Sequence, residues 1–375
     1  MRYKSRFNID IIILICIILF GIISTITIGS AEKLLPESNN LVFRQTMWYI
    51  IGFVFIIFVM FIKNKFLYKN AWLFYILGTI SLILVLFFGA TINEAKCWFK
   101  IPGIGNFQPS EFMKIILIIV LGRMINDFKE KYNNPTIKQE FIFLVKVCII
   151  VGIPSILTFL EPDTGVVLIY LIITFIMLFI SGIRYRWFIL VISLFLGIVA
   201  FILITYFLNN DLFIDIFGSS FFLRVDRLLD WSNGSGYQLE NGITSIGSGG
   251  LIGYGINNTP IYFPEPQTDF IFAVYSNNFG FIGSIILISI ITFFDIRLIK
   301  LAVESPNNIN KYVISGIIGM LIYQQFQNIG MTLGIMPITG ITLPFISYGG
   351  SSLLSYMIMA GIILNISNEN LRYRN

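Results

Sequence analysis

Histidine is absent from this chain of 375 residues, and charged residues make up only 12% of it. Without an imidazole, proton transfer near neutral pH falls mainly to carboxylates. The three cysteines, Cys16, Cys97 and Cys148, stand far apart and form no Cys-x-x-Cys pair. Neither a zinc site nor a disulfide framework fits that spacing. No Gly-x-x-x-x-Gly-Lys-Ser/Thr run occurs, and no connection on the basic side is long enough for a nucleotide-binding domain, so no nucleotide is expected. The alternating pattern of a membrane β-barrel is missing as well.

What the chain has is apolar sequence, 56% of its residues. About ten runs are long enough to cross a bilayer as helices: roughly 9–29, 45–62, 70–89, 109–126, 141–160, 164–182, 187–208, 270–293, 312–334 and 346–366. Lysine and arginine orient them. With the N-terminus in the cytoplasm, the inside segments carry 17 of the 25 basic residues and the outside segments 6. Both termini are then cytoplasmic and the number of spans is even. The net charge of +5 reports that topology, and no nucleic-acid partner is expected. The first run follows Arg2, Lys4 and Arg6 as a signal peptide would, but it is too long and reads as an uncleaved anchor. The expected fold is an all-α polytopic membrane protein, one domain over 1–375. A large extracytoplasmic loop, 209–268, lies between spans seven and eight.

That loop contains apolar pieces, Phe221-Phe222-Leu223 and Leu228-Leu229, expected to lie on the membrane surface. A glycine-rich run follows, from Gly242 to Gly255 and including Gly249 and Gly250; it suits either a flexible loop or close backbone approach to a ligand. A second outer loop, 90–108, contains Asn93, Glu94, Lys96 and Trp98. Polar groups gather at the outer ends of the spans. Asp269 follows Phe263-Pro264-Glu265-Pro266-Gln267-Thr268, where the long loop enters a span, and a carboxylate at such a boundary is the first candidate for chemistry. Glu111 and Lys114 share one face of a helix that Pro109 starts. They suit either a cavity that binds an anionic headgroup or an ion pair that locks two helices. Asp163, in Glu161-Pro162-Asp163-Thr164-Gly165, is expected to cap the next span, and Lys146 to snorkel to the cytoplasmic edge. Pro337, Gly340 and Pro344 break the helical pattern before Ser347-Tyr348-Gly349-Gly350-Ser351-Ser352. Irregular backbone at that depth needs a protein or aqueous surround.

These stretches together resemble the SEDS family of bacterial cell-wall proteins, with its RodA, FtsW and SpoVE branches. The resemblance runs from Asp10 and Arg44-Gln45 through Gln108-Pro109-Ser110-Glu111-Phe112-Met113-Lys114, Pro162-Asp163-Thr164-Gly165 and Tyr237-Gln238. It continues through the 247–255 glycines, Pro264-Glu265, Thr268-Asp269-Phe270 and 328–352. It implies ten transmembrane helices and a peptidoglycan glycosyltransferase acting on lipid II beside a class B penicillin-binding protein. It implies that Asp269 is the essential aspartate and that Glu111 and Lys114 are the charged pair of span four. A substrate cavity is then expected to involve Glu111, Lys114, Glu265, Gln238, Gly249, Gly250, Ser347 and Ser351. Lys114, glycine-loop amides and a divalent cation, Mg or Mn, would offset the pyrophosphate charge. The residues alone do not demand a metal.

The sequence departs from the family where acidic residues usually precede Phe279-Gly280; here Asn277 and Asn278 stand. Glu161 replaces a common glutamine, Gln267 a common histidine, and Asn93-Glu94-Ala95-Lys96-Cys97-Trp98 the usual glycine and arginine around the tryptophan. Thr342 before Leu343-Pro344 looks like the FtsW and SpoVE branches, whereas Asn328-Ile329-Gly330-Met331 looks like RodA. Two other functions suit the polar groups: a flippase for lipid-linked precursor, whose polar lining would reach both leaflets, and a non-catalytic scaffold for a penicillin-binding protein. Clustering on the outer side favours the enzyme over the flippase.

Overall fold

The structure is a computed structural model that describes residues 9–35, 40–92, 95–101, 105–208, 210–218, 222 and 236–374. Helix α1 (Ile11–Glu32) starts where Asp10 accepts the amides of Ile12 and Ile13. It is followed by α2 (Leu41–Ile62), a short α3 (Asn64–Lys69) and α4 (Ala71–Phe88). Then come α5 (Pro109–Lys131), α6 (Ile137–Leu160), α7 (Thr164–Ile180), α8 (Tyr185–Leu208) and α9 (Asn210–Phe217). The remainder is α10 (Tyr237–Ser248), α11 (Ile271–Glu304), α12 (Asn308–Thr332) and α13 (Gly350–Arg374). Among the described residues seven helices are long and apolar enough to cross a membrane, and α7 is a shorter apolar helix. The chain is a multi-pass membrane protein.

Helices α5 and α12 fall outside those seven because they carry polar residues, Glu111 and Lys114 on one and Gln324, Gln325, Gln327 and Asn328 on the other. They take the middle of the bundle. Helix α5 packs against α4, α7, α12 and α13, and α12 against α5, α7 and α11. Protein surrounds those polar groups, whereas α8 shows lipid an almost continuous apolar surface.

Three expectations change. Between α4 and α5 the mostly helical fold carries a small antiparallel sheet of β1 (Ala90–Ile92), β2 (Ala95–Ile101) and β3 (Gly105–Phe107), which was expected as a loop. Trp98, Phe99 and Ile101 favour strand, and Gly105 turns at a φ of 128° that other residues rarely adopt. The last span begins at Gly350, not 346, because residues 333–349 form an irregular strap. This strap enters the bundle: Phe345 stacks on Phe20 of α1, Ser24 Oγ donates to Ile346 O (2.7 Å), and the Tyr49 hydroxyl donates to Phe345 O. Helix α11 runs to Glu304, beyond the expected 293, and is broken at Gly280 (φ 63°, ψ −162°).

The break explains the glycine run. The amides of Phe281 and Ile282 donate to Gly250 O (2.9 Å) and Leu251 O (3.1 Å). In return the amides of Tyr254 and Gly255 donate to Asn277 O and Asn278 O, both at 3.0 Å. The loop thus satisfies the backbone groups that the break frees. A Cβ at Gly280 would lie 2.5 Å from the carbonyl carbon of Leu251 and 2.6 Å from the amides of Ile252 and Gly253. Gly280→Ala is therefore expected to lower stability by about 2–4 kcal/mol, from positive φ plus overpacking. Thermal unfolding in detergent checks it.

Of the apolar pieces expected on the membrane surface, only Phe222 lies within the described residues, where its ring stacks on Tyr206. Asn93 and Glu94 also lie outside them.

Candidate active site at the entry to α11

Asp269 sits two residues before α11 on a loop fixed from several sides. Phe263 and Phe270 anchor the ends of the loop in the core. Glu265 turns the chain at a φ of 52°, and its carboxylate accepts from Thr268 Oγ1 (2.9 Å) and Gln267 Nε2 (3.0 Å). Gln238 on α10 donates to Pro264 O (3.1 Å). Ser347 in the strap donates to Thr268 O (2.7 Å), and the Tyr348 amide donates to Gln267 O (2.8 Å). Asn328 Nδ2 donates to both Asp269 O (2.9 Å) and Ile341 O (2.8 Å). These bonds hold the main chain of Asp269 and leave its carboxylate free; half-buried, it has no hydrogen-bond partner among the described residues. An ideal Cβ at Gly340 would lie 3.5 Å from its Oδ2, so glycine keeps that approach open. Burial first, then the nearby charges of Glu265 and Asp163, push its pKa up to about 7. A carboxylate so placed is a base suited to neutral pH.

Glu111 and Lys114 form a 2.7 Å ion pair within the first turns of α5. Both are buried, Lys114 completely. Ser355 of α13 donates to Glu111 Oε2 at 3.5 Å, and the ammonium lies 5.4 Å from the Tyr356 ring centroid. The Tyr356 hydroxyl accepts from Gln324 (2.9 Å) and lies 3.3 Å from Thr342 Oγ1. The pair therefore locks α5 to α13 and does not open on a cavity. Its enclosure corrects the expectation that Lys114 meets an incoming pyrophosphate.

Asp163 caps α7, accepting from the Val166 amide (3.1 Å), and its other oxygen accepts from Gln108 Nε2 (2.7 Å). Glu161, at the end of α6, is fully buried, and neither carboxylate oxygen has a hydrogen-bond partner. Burial, then the charge of Asp163, push Glu161 up to about 8. The fold therefore holds a proton that the unfolded chain releases near pH 4.3. Its contribution to stability is complete below that pH and is lost as pH rises through about 8. Glu161→Gln keeps the shape without the titration, so its stability advantage over the parent is expected to widen between pH 4 and pH 8. Unfolding curves across that range measure it.

The other expected cavity residues divide. Asp269, Glu265, Gln238 and Ser347 meet at one loop junction. Gly249 and Gly250 belong to the splice around Gly280. Their amides donate to Ile246 O and Gly247 O, and those of Gly253, Tyr254 and Gly255 are occupied too, so these amides do not serve as phosphate donors. Ser351 lies elsewhere: it donates to Asn106 O and accepts from the Gln108 amide, both at 3.0 Å, joining the sheet to α13. The sequence reading missed the clamping amide of Asn328 and that of Gln45, which donates to Ser24 Oγ (3.1 Å) and Ser347 O (3.3 Å). The signal was present as four side-chain amides within residues 324–328 of an otherwise apolar helix.

The donor set does not fit a metal held by the protein: no three acidic, cysteine or histidine side chains converge among the described residues. The carboxylate of Glu265 is already engaged by Thr268 and Gln267.

A family profile described as a cell cycle protein, FtsW/RodA/SpoVE, matches residues 7–372. The chain belongs to the SEDS family. Stage V sporulation protein E of Bacillus subtilis is 33% identical over 306 residues, 76% of this SEDS chain and 75% of that one. A probable peptidoglycan glycosyltransferase FtsW of Coxiella burnetii is 34% identical over 311 residues, covering 79% and 77%. Among solved structures, a chain of a peptidoglycan synthase complex that coordinates polymerisation and cross-linking superposes with a TM-score of 0.80 at 25% identity, covering 97% of this chain and 99% of that one. The rod shape determining protein RodA of Thermus thermophilus gives 0.70 at 26% identity, covering 97% and 98%. In this SEDS chain the two asparagines before Phe279 are buried parts of the splice. Asn277 Nδ2 donates to Ser245 O (2.7 Å) and Ser248 Oγ (3.1 Å), and Asn278 Oδ1 accepts from Thr259 Oγ1 (3.0 Å). An ionised acid at 277 has no proton to donate to the carbonyl of Ser245.

Proposed function

We propose that the chain is a peptidoglycan glycosyltransferase that polymerises lipid II at the outer face of a bacterial cytoplasmic membrane. The Asp269 end of the bundle then faces outward, and ten spans place both termini in the cytoplasm. The observation that carries this reading is the free carboxylate of Asp269 on a main chain clamped by Asn328 and Ser347. As the 4-hydroxyl oxygen of the acceptor sugar attacks the anomeric carbon of the donor, Asp269 takes the hydroxyl proton. The bond from that carbon to the pyrophosphate oxygen breaks, and polyprenyl pyrophosphate leaves with the electron pair. One displacement turns an α-linked donor into a β-linked product. No second carboxylate need act as nucleophile, and Glu265 raises the proton affinity of Asp269 by its charge. A divalent cation, Mg or Mn, would offset the charge of the substrate pyrophosphate.

The names of the FtsW relatives and the synthase-complex neighbour support this reading, and the latter supports a class B penicillin-binding protein as partner. The test is incubation of purified protein with lipid II. Glycan strands are the expected product. Movement of labelled lipid II across proteoliposomes with no polymer would overturn the proposal in favour of a flippase.

A further inference from the structure

We infer that the tip of the glycine loop, Leu251-Ile252, is inserted into the lipid leaflet at the Asp269 end of the bundle, so that the splice of α11 is made inside the membrane. This does not depend on the reaction catalysed.

Four observations converge. The loop has no charge to keep it in water: from Asn241 to Pro264 there is no Asp, Glu, Lys or Arg. Its tip is apolar and bare, with Leu251 67% and Ile252 79% exposed. Hydrogen bonds engage many of the backbone groups around the tip: the amides of Gly250, Gly253, Tyr254 and Gly255 donate within the protein, and the carbonyls of Gly249, Gly250 and Leu251 accept. Each such bond lowers the cost of placing irregular chain in hydrocarbon, and at the tip itself the amides of Leu251 and Ile252 make no backbone hydrogen bond among the described residues. The depth also fits. Helix α1 runs from Asp10, paired with Arg297 at 2.6 Å, to Ser30, whose Oγ accepts from the Asn257 amide at 2.9 Å. Those 20 residues rise about 30 Å, the thickness of the hydrocarbon. From Arg297 back to Phe281, where the tip is bonded, α11 rises only about 24 Å. The tip therefore lies within the slab and climbs to Asn257 at its edge. Phe281 and Ile282, next to it, are themselves exposed on the lipid-facing surface, so the patch continues a face that lipid already covers. Tyr254 and Tyr262, about half exposed, suit the interfacial belt.

The test uses full-length protein in nanodiscs, with Cys148→Ser removing the exposed thiol. A spin label at Ile252→Cys is compared with labels at lipid-facing Ile286→Cys and at Asn258→Cys. Collisions with oxygen, which partitions into lipid, are set against collisions with a water-soluble nickel chelate. The expected oxygen-to-nickel ratio at 252 matches that at 286 and exceeds that at 258. A nickel-dominated ratio would overturn the inference in favour of an aqueous loop. Low collision with both reagents would overturn it in favour of a protein-covered tip, as at an interface between copies. Leu251→Cys gives the same readout if the first label disturbs the fold.

Discussion

Asp269→Asn is expected to lower polymerisation of lipid II by about 10²–10⁴-fold without unfolding the protein, the range for loss of a general base. Asparagine keeps the volume and the backbone, and the clamp from Asn328 is to the main-chain oxygen of residue 269, not to its side chain. What is lost is the capacity to take a proton. The parent should also carry a signature of that capacity. With the carboxyl pushed up to about 7, the base is protonated and idle below that pH, and activity rises as pH passes through it. Stability follows the opposite sign. Burial disfavours the ionised form, so the contribution of this group to stability is lost as pH rises through about 7, and the asparagine variant should be the more stable one in alkaline buffer.

The second large effect concerns stability. Lys114→Met leaves Glu111 as a buried carboxylate with its ion-pair partner gone and is expected to cost about 3–5 kcal/mol. Adding Glu111→Gln removes the stranded charge, so the double variant should recover most of that loss, a coupling that a double-mutant cycle reads directly. Unfolding of the four proteins in the same detergent measures it. Additive losses would mean that the two side chains are not coupled. The enclosure of both side chains beneath Ser355 and Tyr356 places their contribution in the fold, and any loss of activity should track the loss of folded protein.

Much of this was legible in the chain. Apolar run lengths located the long helices to within a few residues at most ends, because the requirement for a span is mainly one of length. Asp163 was readable as a cap, and Glu111 with Lys114 as a pair, because helical spacing alone decides which side chains meet. The failures have a common cause. Whether a polar residue lines a cavity or satisfies the backbone depends on partners far along the chain. Gly249 and Gly250 bond around a break 30 residues away, and Ser351 reaches the sheet through Asn106. Asn277 and Asn278 looked like lost acids because their partners are Ser245 O and Ser248 Oγ of α10 and Thr259 Oγ1 of the loop after it, which no local pattern reveals. The strap 333–349 was taken in part for helix because its apolar residues are buried. What irregular backbone needs at that depth is supplied by Ser24, Tyr49 and Gln45 from two other helices.

The central claim is that Asp269 is the base. The most direct measurement is the rate of glycan formation from lipid II by purified parent and Asp269→Asn proteins over pH 5 to 9. The expected result is a parent rate that climbs through an apparent pKa near 7 and a variant rate at or near background at every pH. A variant that polymerises at the parental rate, with the same pH dependence, would contradict the account.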